Sequence, residues 1–283
     1  MIVFLQDQFI AEERAMVSIF DRCFRYGDGL FEAVLARNGQ LFRWREHLAR
    51  LECSARFLKL ALPCSSTDLL EAAQRLLALN EMPDAVLRIQ LSRGRGPRGY
   101  APSGDEKPLI VMSLHPAPRR ESLRSERWKL TVSSSRVAVG DPIANHKTCC
   151  RLAQVLAAAE ARERGADEAL LLNTNGEVTE GSTSNVFWIQ NGTVCTPELP
   201  AGVLPGITRA AVLELCDALD IRRVERTCPS EELISSEGVF LSFTSRGIVE
   251  ADSLDGRPLR HSPVTGRLQN QFEALLEREC AAG

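Results

Sequence analysis

Lysine is nearly absent from this chain. Of its 34 basic side chains only Lys59, Lys107, Lys129 and Lys147 are lysines, and the rest are arginines. Arginine stays protonated and cannot serve as an amine nucleophile, so any chemistry that needs a primary amine has few candidates. A charge excess is missing too. The 34 basic and 37 acidic residues leave a net charge of −3, which argues against a nucleic-acid or membrane-surface partner. No apolar run approaches the roughly 20 residues that span a bilayer. The first ten residues have no basic region ahead of their apolar ones and are followed by Glu12 and Glu13, so they read as a strand and not as a signal peptide. Nine cysteines lie scattered at 23, 53, 64, 149, 150, 195, 216, 228 and 280, odd in number and without metal-ligand spacing. That pattern excludes a disulfide framework, gives no metal site, and fits free thiols in a reducing cytoplasm.

What is present is the composition of a soluble globular protein, 44% hydrophobic and 25% charged over 283 residues, long enough for two domains. The short, charged segment at Pro116–Glu121 reads as a connection. The expected division is residues 1–117, a linker at 118–126, and residues 127–283. In the first part, Phe24–Val34 reads as a glycine-rich turn entering a strand, and Asn38-Gly39 is a type I′ hairpin signal. Leu48, Leu51, Ala55 and Leu58 recur at helical spacing with Arg50 off their stripe, and a second helix opens at Ser66/Thr67 and runs to Asn80. Ala85–Ser92 and Leu109–Leu114 read as partner strands. Between them lies a literal G-x-G-x-x-G at Gly94–Gly99, but Ala101-Pro102-Ser103 cannot open a helix, so a dinucleotide fingerprint is not expected. The arginines of this loop suit an anionic substrate group or a solvated surface equally.

In the second part, Trp128–Ser133 reads as a strand, and Asn145–Thr148 leads into a helix with Leu152, Val155, Leu156 and Ala159 on its apolar face. Ala169–Leu172 and Asn185–Ile189 are expected to pair, with Asn191-Gly192 starting another hairpin. A helix from Pro205-Gly206-Ile207-Thr208 offers free N–H groups to an anion. Val239–Phe243 ends in Thr244-Ser245-Arg246-Gly247. Many hairpins imply a mainly β second domain with helices packed on it.

The stretch Asn173–Phe187 concentrates the chemistry. It carries one acid at Glu180, then Gly181, Ser182, Thr183, Ser184 and Asn185. Alone it reads as a hairpin loop with a chance acid. Together with Arg50, the Gly206 turn, the Thr244 turn and one well-placed lysine it matches the needs of pyridoxal 5′-phosphate: a Schiff-base lysine, a carboxylate for the pyridine nitrogen, and donors for the phosphate. Lys59 is at a helix end, Lys107 beside Pro108 and Lys129 at a strand start, which leaves Lys147, just before a helix and upstream of Glu180.

Tyr-Gly-Asp-Gly-Leu-Phe-Glu at 26–32, His-Leu-Ala-Arg-Leu at 47–51, Arg-Leu-Ala-Gln-Val-Leu at 151–156, Glu-Gly-Ser-Thr-Ser-Asn-Val-Phe at 180–187 and Pro-Gly-Ile-Thr-Arg at 205–209 stand in an order and spacing that resembles the class IV aminotransferases. The resemblance covers nearly the whole chain. It implies an α/β (α+β) fold of type IV, with a small N-terminal α/β domain and a larger, β-barrel-like C-terminal domain with flanking helices. It further implies that Lys147 is the catalytic acid/base and Schiff-base residue, that Glu180 pairs with the pyridine nitrogen, and that Arg50, Gly206, Ile207, Thr208 and Thr244 hold the phosphate. Ser184 and Asn185 would shape the wall near the ring, and Phe31, Arg98, Tyr100 and Ser245 would contact the substrate.

Within the family, the expected reaction moves an amino group between an amino acid and a 2-oxo acid. Arg151 and Leu152 stand where branched-chain enzymes usually carry Asn-Tyr, which counts against that group. Arg98-Gly99-Tyr100 resembles loops of both the D-amino acid transaminases and the 4-amino-4-deoxychorismate lyases. Arg151-Leu152 is lyase-like, whereas Glu163–Leu171 resembles the D-amino acid group, and Arg246-Gly247 departs from both. Transamination is expected, with the handedness of the donor left open between D and L and the lyase as the alternative. The resemblance also implies a homodimer with the active site near the subunit boundary, and leaves open which subunit delivers Arg98.

Overall fold

In the computed structural model, residues 1–118 and 126–281 are described, so most of the expected linker lies outside the described residues. Two units pack separately. The first comprises Met1–Ala117, His146–Cys150 and the C-terminal residues from Glu277; the second comprises Pro118–Asn145 and Arg151–Leu276.

The first unit is an antiparallel sheet covered by two helices. Strands β1 (Ile2–Leu5) and β2 (Gln8–Ala11) make a hairpin where a single strand is expected, because Gln6 turns the chain at φ 66°. Helix α1 (Arg22–Tyr26) is capped by the Asp21 carboxylate, which accepts from the N–H of Cys23 and Phe24. Left-handed Gly27 ends it and redirects the chain into β3 (Gly29–Arg37). Asn38 and Gly39, both at positive φ, make the expected turn into β4 (Gln40–Leu41). Helix α2 (Trp44–Phe57) follows, then α3 (Ser66–Leu79), whose cap is Ser65 in a capping box with Asp68, one residue earlier than expected. Strands β5 (Ala85–Ser92) and β6 (Leu109–Pro116) pair as anticipated, giving the order β2-β1-β6-β5-β3-β4. Alternation in β5 sends Ala85, Leu87, Ile89 and Leu91 into one core with Leu48, Leu51 and Ala55 of α2 and Leu69, Ala73 and Leu76 of α3.

The second unit is a nine-stranded half-barrel. Its elements are β7 (Arg127–Val137), α4 (Leu152–Glu163), β8 (Glu168–Asn173), β9 (Val178–Gly181), β10 (Asn185–Gln190), β11 (Thr193–Thr196), α5 (Ile207–Ala218), β12 (Arg223–Glu225), α6 (Ser230–Ser235), β13 (Gly238–Phe243), β14 (Gly247–Leu254), β15 (Arg257–Pro258) and α7 (Pro263–Glu279). The strand order is β12-β11-β10-β13-β14-β7-β8-β9, with β15 on β14, and β7 runs parallel to both its neighbours.

Two expectations fail here. Strands β8 and β10 do not pair with each other. Val178–Gly181 forms its own strand against β8, and β10 lies between β11 and β13, so Glu180 stands in a strand and not in a hairpin loop. Helix α4 begins at Leu152, leaving Lys147 in the irregular segment before it, and it does not bury the predicted face. Leu152, Val155 and Leu156 are exposed at 67%, 60% and 56%, while Ala157 and Ala161 face Ala169 and Leu171 of β8. Small side chains allow the helix to lie close to the sheet, and that contact, not the bulkier stripe, decides which side turns inward.

The central strand of the first unit gives a direct test of its core. Leu87→Ala, at a fully buried position of β5, is expected to destabilise that unit by about 2–5 kcal/mol, read as a lower urea midpoint.

Candidate active site

In the first unit Lys147 is fastened to the start of β3. Its carbonyl accepts from Phe31 N at 2.9 Å, Cys149 N donates to Gly29 O at 2.9 Å, and Leu30 and Thr148 form a β-bridge between them. The side chain follows from this placement: Nζ lies 4.6 Å from the Phe31 ring centroid, and Arg88 Cζ lies 4.2 Å from the same ring. Cation and ring quadrupole attract, so Phe31 orients the amine.

The next residue of β3 points to the opposite face. Glu32, 1% exposed, accepts from Arg50 Nε at 2.8 Å and Nη2 at 2.7 Å and pairs with His47 Nδ1 at 2.8 Å. His47 and Arg50, three apart, share one side of α2 and reach the same carboxylate. Burial pushes Glu32 up, but the Arg50 charge and the hydrogen bonds from His47 and Arg50 outweigh it and hold the carboxyl at about 2. Burial lowers His47 against the opposing pull of Glu32. Arg50 is thus a rigidly held cation, not the surface ion pair that its place off the apolar stripe would allow. In the sequence its partners Glu32 and His47 stand out only as parts of motifs.

Arg98 and Tyr100 lie on the exposed surface of the loop after β5, Tyr100 at 86% exposure. The glycine motif there opens no helix. Gly94 serves close packing instead, since at φ +93° a Cβ would sit 1.9 Å from Lys107 O. Arg22, 2% exposed, pins the loop by donating to Gly99 O at 3.0 Å and Tyr100 O at 2.6 Å. Nothing in the sequence marked Arg22 for this task.

In the second unit Glu180, 7% exposed, accepts at Oε2 from Leu204 N at 2.9 Å and from Asn185 Nδ2 at 3.4 Å. Asn185 also donates to Leu204 O at 3.0 Å. Gly206 is the N-cap of α5 and supplies no side chain to its first turn, where Ile207 and the buried Thr208 stand. A Cβ at 206 would strike Asn185 Oδ1 at 1.9 Å, so glycine is required by close approach. Ser184 is near these residues in sequence, but its hydroxyl donates to Glu168 at 3.1 Å. Thr244 and Ser245 occupy the partly buried turn between β13 and β14. Arg246 in that turn is bound to Glu126 at 2.6 Å and stacks over Trp128, which accounts locally for the unusual residue.

A family model described as amino-transferase class IV matches residues 29–254. The chain belongs to the class IV aminotransferases. A Methanocaldococcus jannaschii protein provisionally named a branched-chain-amino-acid aminotransferase is 33% identical over 96% of each chain. The D-alanine aminotransferase of Staphylococcus aureus (strain MSSA476) is 32% identical over 97% of this chain and 98% of its own. Among solved structures, the branched-chain amino acid aminotransferase of Escherichia coli superposes with a TM-score of 0.92 at 28% identity, covering 98% of this chain and 95% of that one.

Enzymes of this family use pyridoxal 5′-phosphate. The aminotransferase has residues that fit it: a primary amine at Lys147, a buried carboxylate at Glu180, and a helix start at Gly206 whose first turn has no side-chain cap. Among the described residues no cluster of His, Cys, Asp and Glu could hold a metal ion, and no helix is long and apolar enough to cross a membrane.

The Glu32 shift sets an acid limit. Its folded value, about 2, lies below the ordinary 4.5, so its contribution, about 3 kcal/mol, is complete above pH 4.5 and is lost as pH falls through about 2. Thermal midpoints measured across that window are expected to fall steeply for the wild type and more gently for Glu32→Gln, which starts lower at neutral pH.

Proposed function

We propose that this aminotransferase transfers the amino group of a D-configured amino acid to a 2-oxo acid in two half-reactions, with Lys147 as the acid/base and Glu180 as the partner of the cofactor's pyridine nitrogen. The observation that carries the reading is Glu180: a nearly buried carboxylate fixed by Leu204 N–H and Asn185 in a chain of this family. The bound cofactor supplies an electron sink for the charge left when the donor loses its Cα proton.

The chain's own groups do the rest. Lys147 Nζ takes the Cα proton of the amino donor and, in the return half, gives one back to the Cα of the product. The Phe31 ring lies beside that amine and faces the substrate. Arg50, oriented by Glu32, offers positive charge to the phosphate, and the N–H groups of Ile207 and Thr208 at the helix start, with the Thr244 hydroxyl, complete its set of donors. Asn185 and Ser184 border the ring, Gly206 opens the helix turn that takes the phosphate, and Arg98, Tyr100 and Ser245 meet the substrate, with Arg98 binding the carboxylate as an ion pair.

The D-configuration draws support from the likeness to the S. aureus D-alanine enzyme and from Arg151 and Leu152 in place of the Asn-Tyr usual in branched-chain enzymes. The same Arg151-Leu152 pair, with Arg98-Gly99-Tyr100, favours the 4-amino-4-deoxychorismate lyase as the second reading. Exposed Leu152, Val155 and Leu156 support a homodimer, and nine cysteines free of disulfides support a reducing, cytoplasmic setting.

Half-reaction spectra with D-alanine, D-glutamate, L-glutamate and L-leucine test the donor: the D-amino acids should bleach the visible band faster. Pyruvate released from aminodeoxychorismate without an amino acceptor would replace transamination by the lyase reaction. Lys147→Ala should abolish turnover. Glu180→Ala should keep the cofactor attached yet lose about 100-fold or more in proton-transfer rate in a single-turnover assay.

A further inference from the structure

We propose that Glu168 is a positioning residue for this reaction, the anchor that fixes the Gly181–Ser184 turn and, through it, the contact between Asn185 and Glu180. The inference rests on the role given to Glu180 above.

Glu168 opens β8 and is 3% exposed. Its Oε1 accepts from Ala169 N at 2.9 Å, Ser182 N at 3.0 Å and Ser182 Oγ at 2.5 Å. Its Oε2 accepts from Thr183 N at 3.2 Å, Thr183 Oγ1 at 2.8 Å and Ser184 Oγ at 3.1 Å. A carboxylate has about four lone-pair directions, so these donors fill it. Five of them come from three successive residues, and the carboxylate acts as the template on which the turn is wound.

Two glycine-level details show how tight the winding is. Gly181 N donates to Ser184 O at 2.7 Å, closing the turn. A Cβ at Gly181 would lie 2.1 Å from Ser184 Oγ and 3.1 Å from the Glu168 carboxyl carbon, so the turn admits no side chain at its first position. Glu180 stands immediately before the turn and Asn185 immediately after it, and their side chains meet at 3.4 Å. Any shift of the turn therefore moves Asn185 against Glu180.

The hydroxyls gain a fixed polarity from the same arrangement. Ser182, Thr183 and Ser184 each own one hydroxyl proton and each donates it to Glu168, so toward any other group these oxygens act only as acceptors. The hydroxyl protons of this run are spent inside the protein.

The test uses the holoenzyme with Glu168→Gln, which keeps the length of the side chain but turns an NH₂ toward half of the donors. Three quantities are measured: kcat and KM for the amino donor, the pH titration of the visible absorption band, and cofactor retention on dilution. Expected for Glu168→Gln are a kcat lower by about 10- to 100-fold, a KM changed by less than about threefold, and a displaced band titration in the same direction as in Glu180→Ala. If Glu168→Gln does not fold, Thr183→Val, which removes one donor isosterically, should move kcat and the band in that direction by about threefold. A lower thermal midpoint with a wild-type band and kcat would mean a purely structural carboxylate and overturns the inference. Wild-type behaviour of the Glu168 and Thr183 variants beside an impaired Glu180→Ala overturns it alone; an unimpaired Glu180→Ala overturns the reading of Glu180 together with it.

Discussion

A buried carboxylate on a strand, answered by an arginine and a histidine from a helix, is the constraint on which the first unit depends. Glu32 sits on the core face of β3, where Leu30 and Val34 are wholly buried. Left unpaired, a charge in that position would cost several kcal/mol, so α2 must present Arg50 and His47 at one level of the sheet. The apolar stripe of Leu48, Leu51 and Ala55 decides that α2 packs on the sheet, and the carboxylate decides where along its axis it stops. Arg50 thereby becomes a fixed cation, its fork oriented by Glu32.

The second unit repeats the device with hydroxyls and amides in place of cations. Glu168 gathers donors from the turn that follows β9, and Glu180 takes Leu204 N–H and the Asn185 amide. Both acids stand on strands of the half-barrel and organise loops, which would otherwise sample many conformations. Glycine at 181 and 206 lets backbone and side chain approach more closely than a Cβ permits. Polar networks of this kind confer order because a half-satisfied member is costly.

Local signals were readable in the sequence and distant partnerships were not. Asn38-Gly39 and Asn191-Gly192 announced their turns because the left-handed backbone they favour is a property of adjacent residues. The partners β5 and β6, the two helices of the first unit and the helix start at Gly206 were legible for the same reason. The separate strand Val178–Gly181 was not, since four residues including Thr, Glu and Gly show no alternation, and without it β8 and β10 looked like a hairpin. The inward face of α4 was misread because burial there is settled by the closeness of the sheet. Arg50 stood out by lying off its stripe, but Glu32, 18 residues earlier, could not be named as its partner. Glu168 was hidden likewise, its donors 14 to 16 residues downstream.

The tether of Lys147 carries a further consequence. Because hydrogen bonds at Phe31 N and Gly29 O hold the backbone on both sides of Thr148, the freedom left to the amine is that of its own methylene stem. In its proposed role as acid/base, an amine that swings on rotamer timescales from a stationary pivot keeps a high effective molarity at every carbon within its reach. Rate would then be governed by how the side chain partitions among a few staggered rotamers, and sheet rigidity becomes a kinetic property of the enzyme.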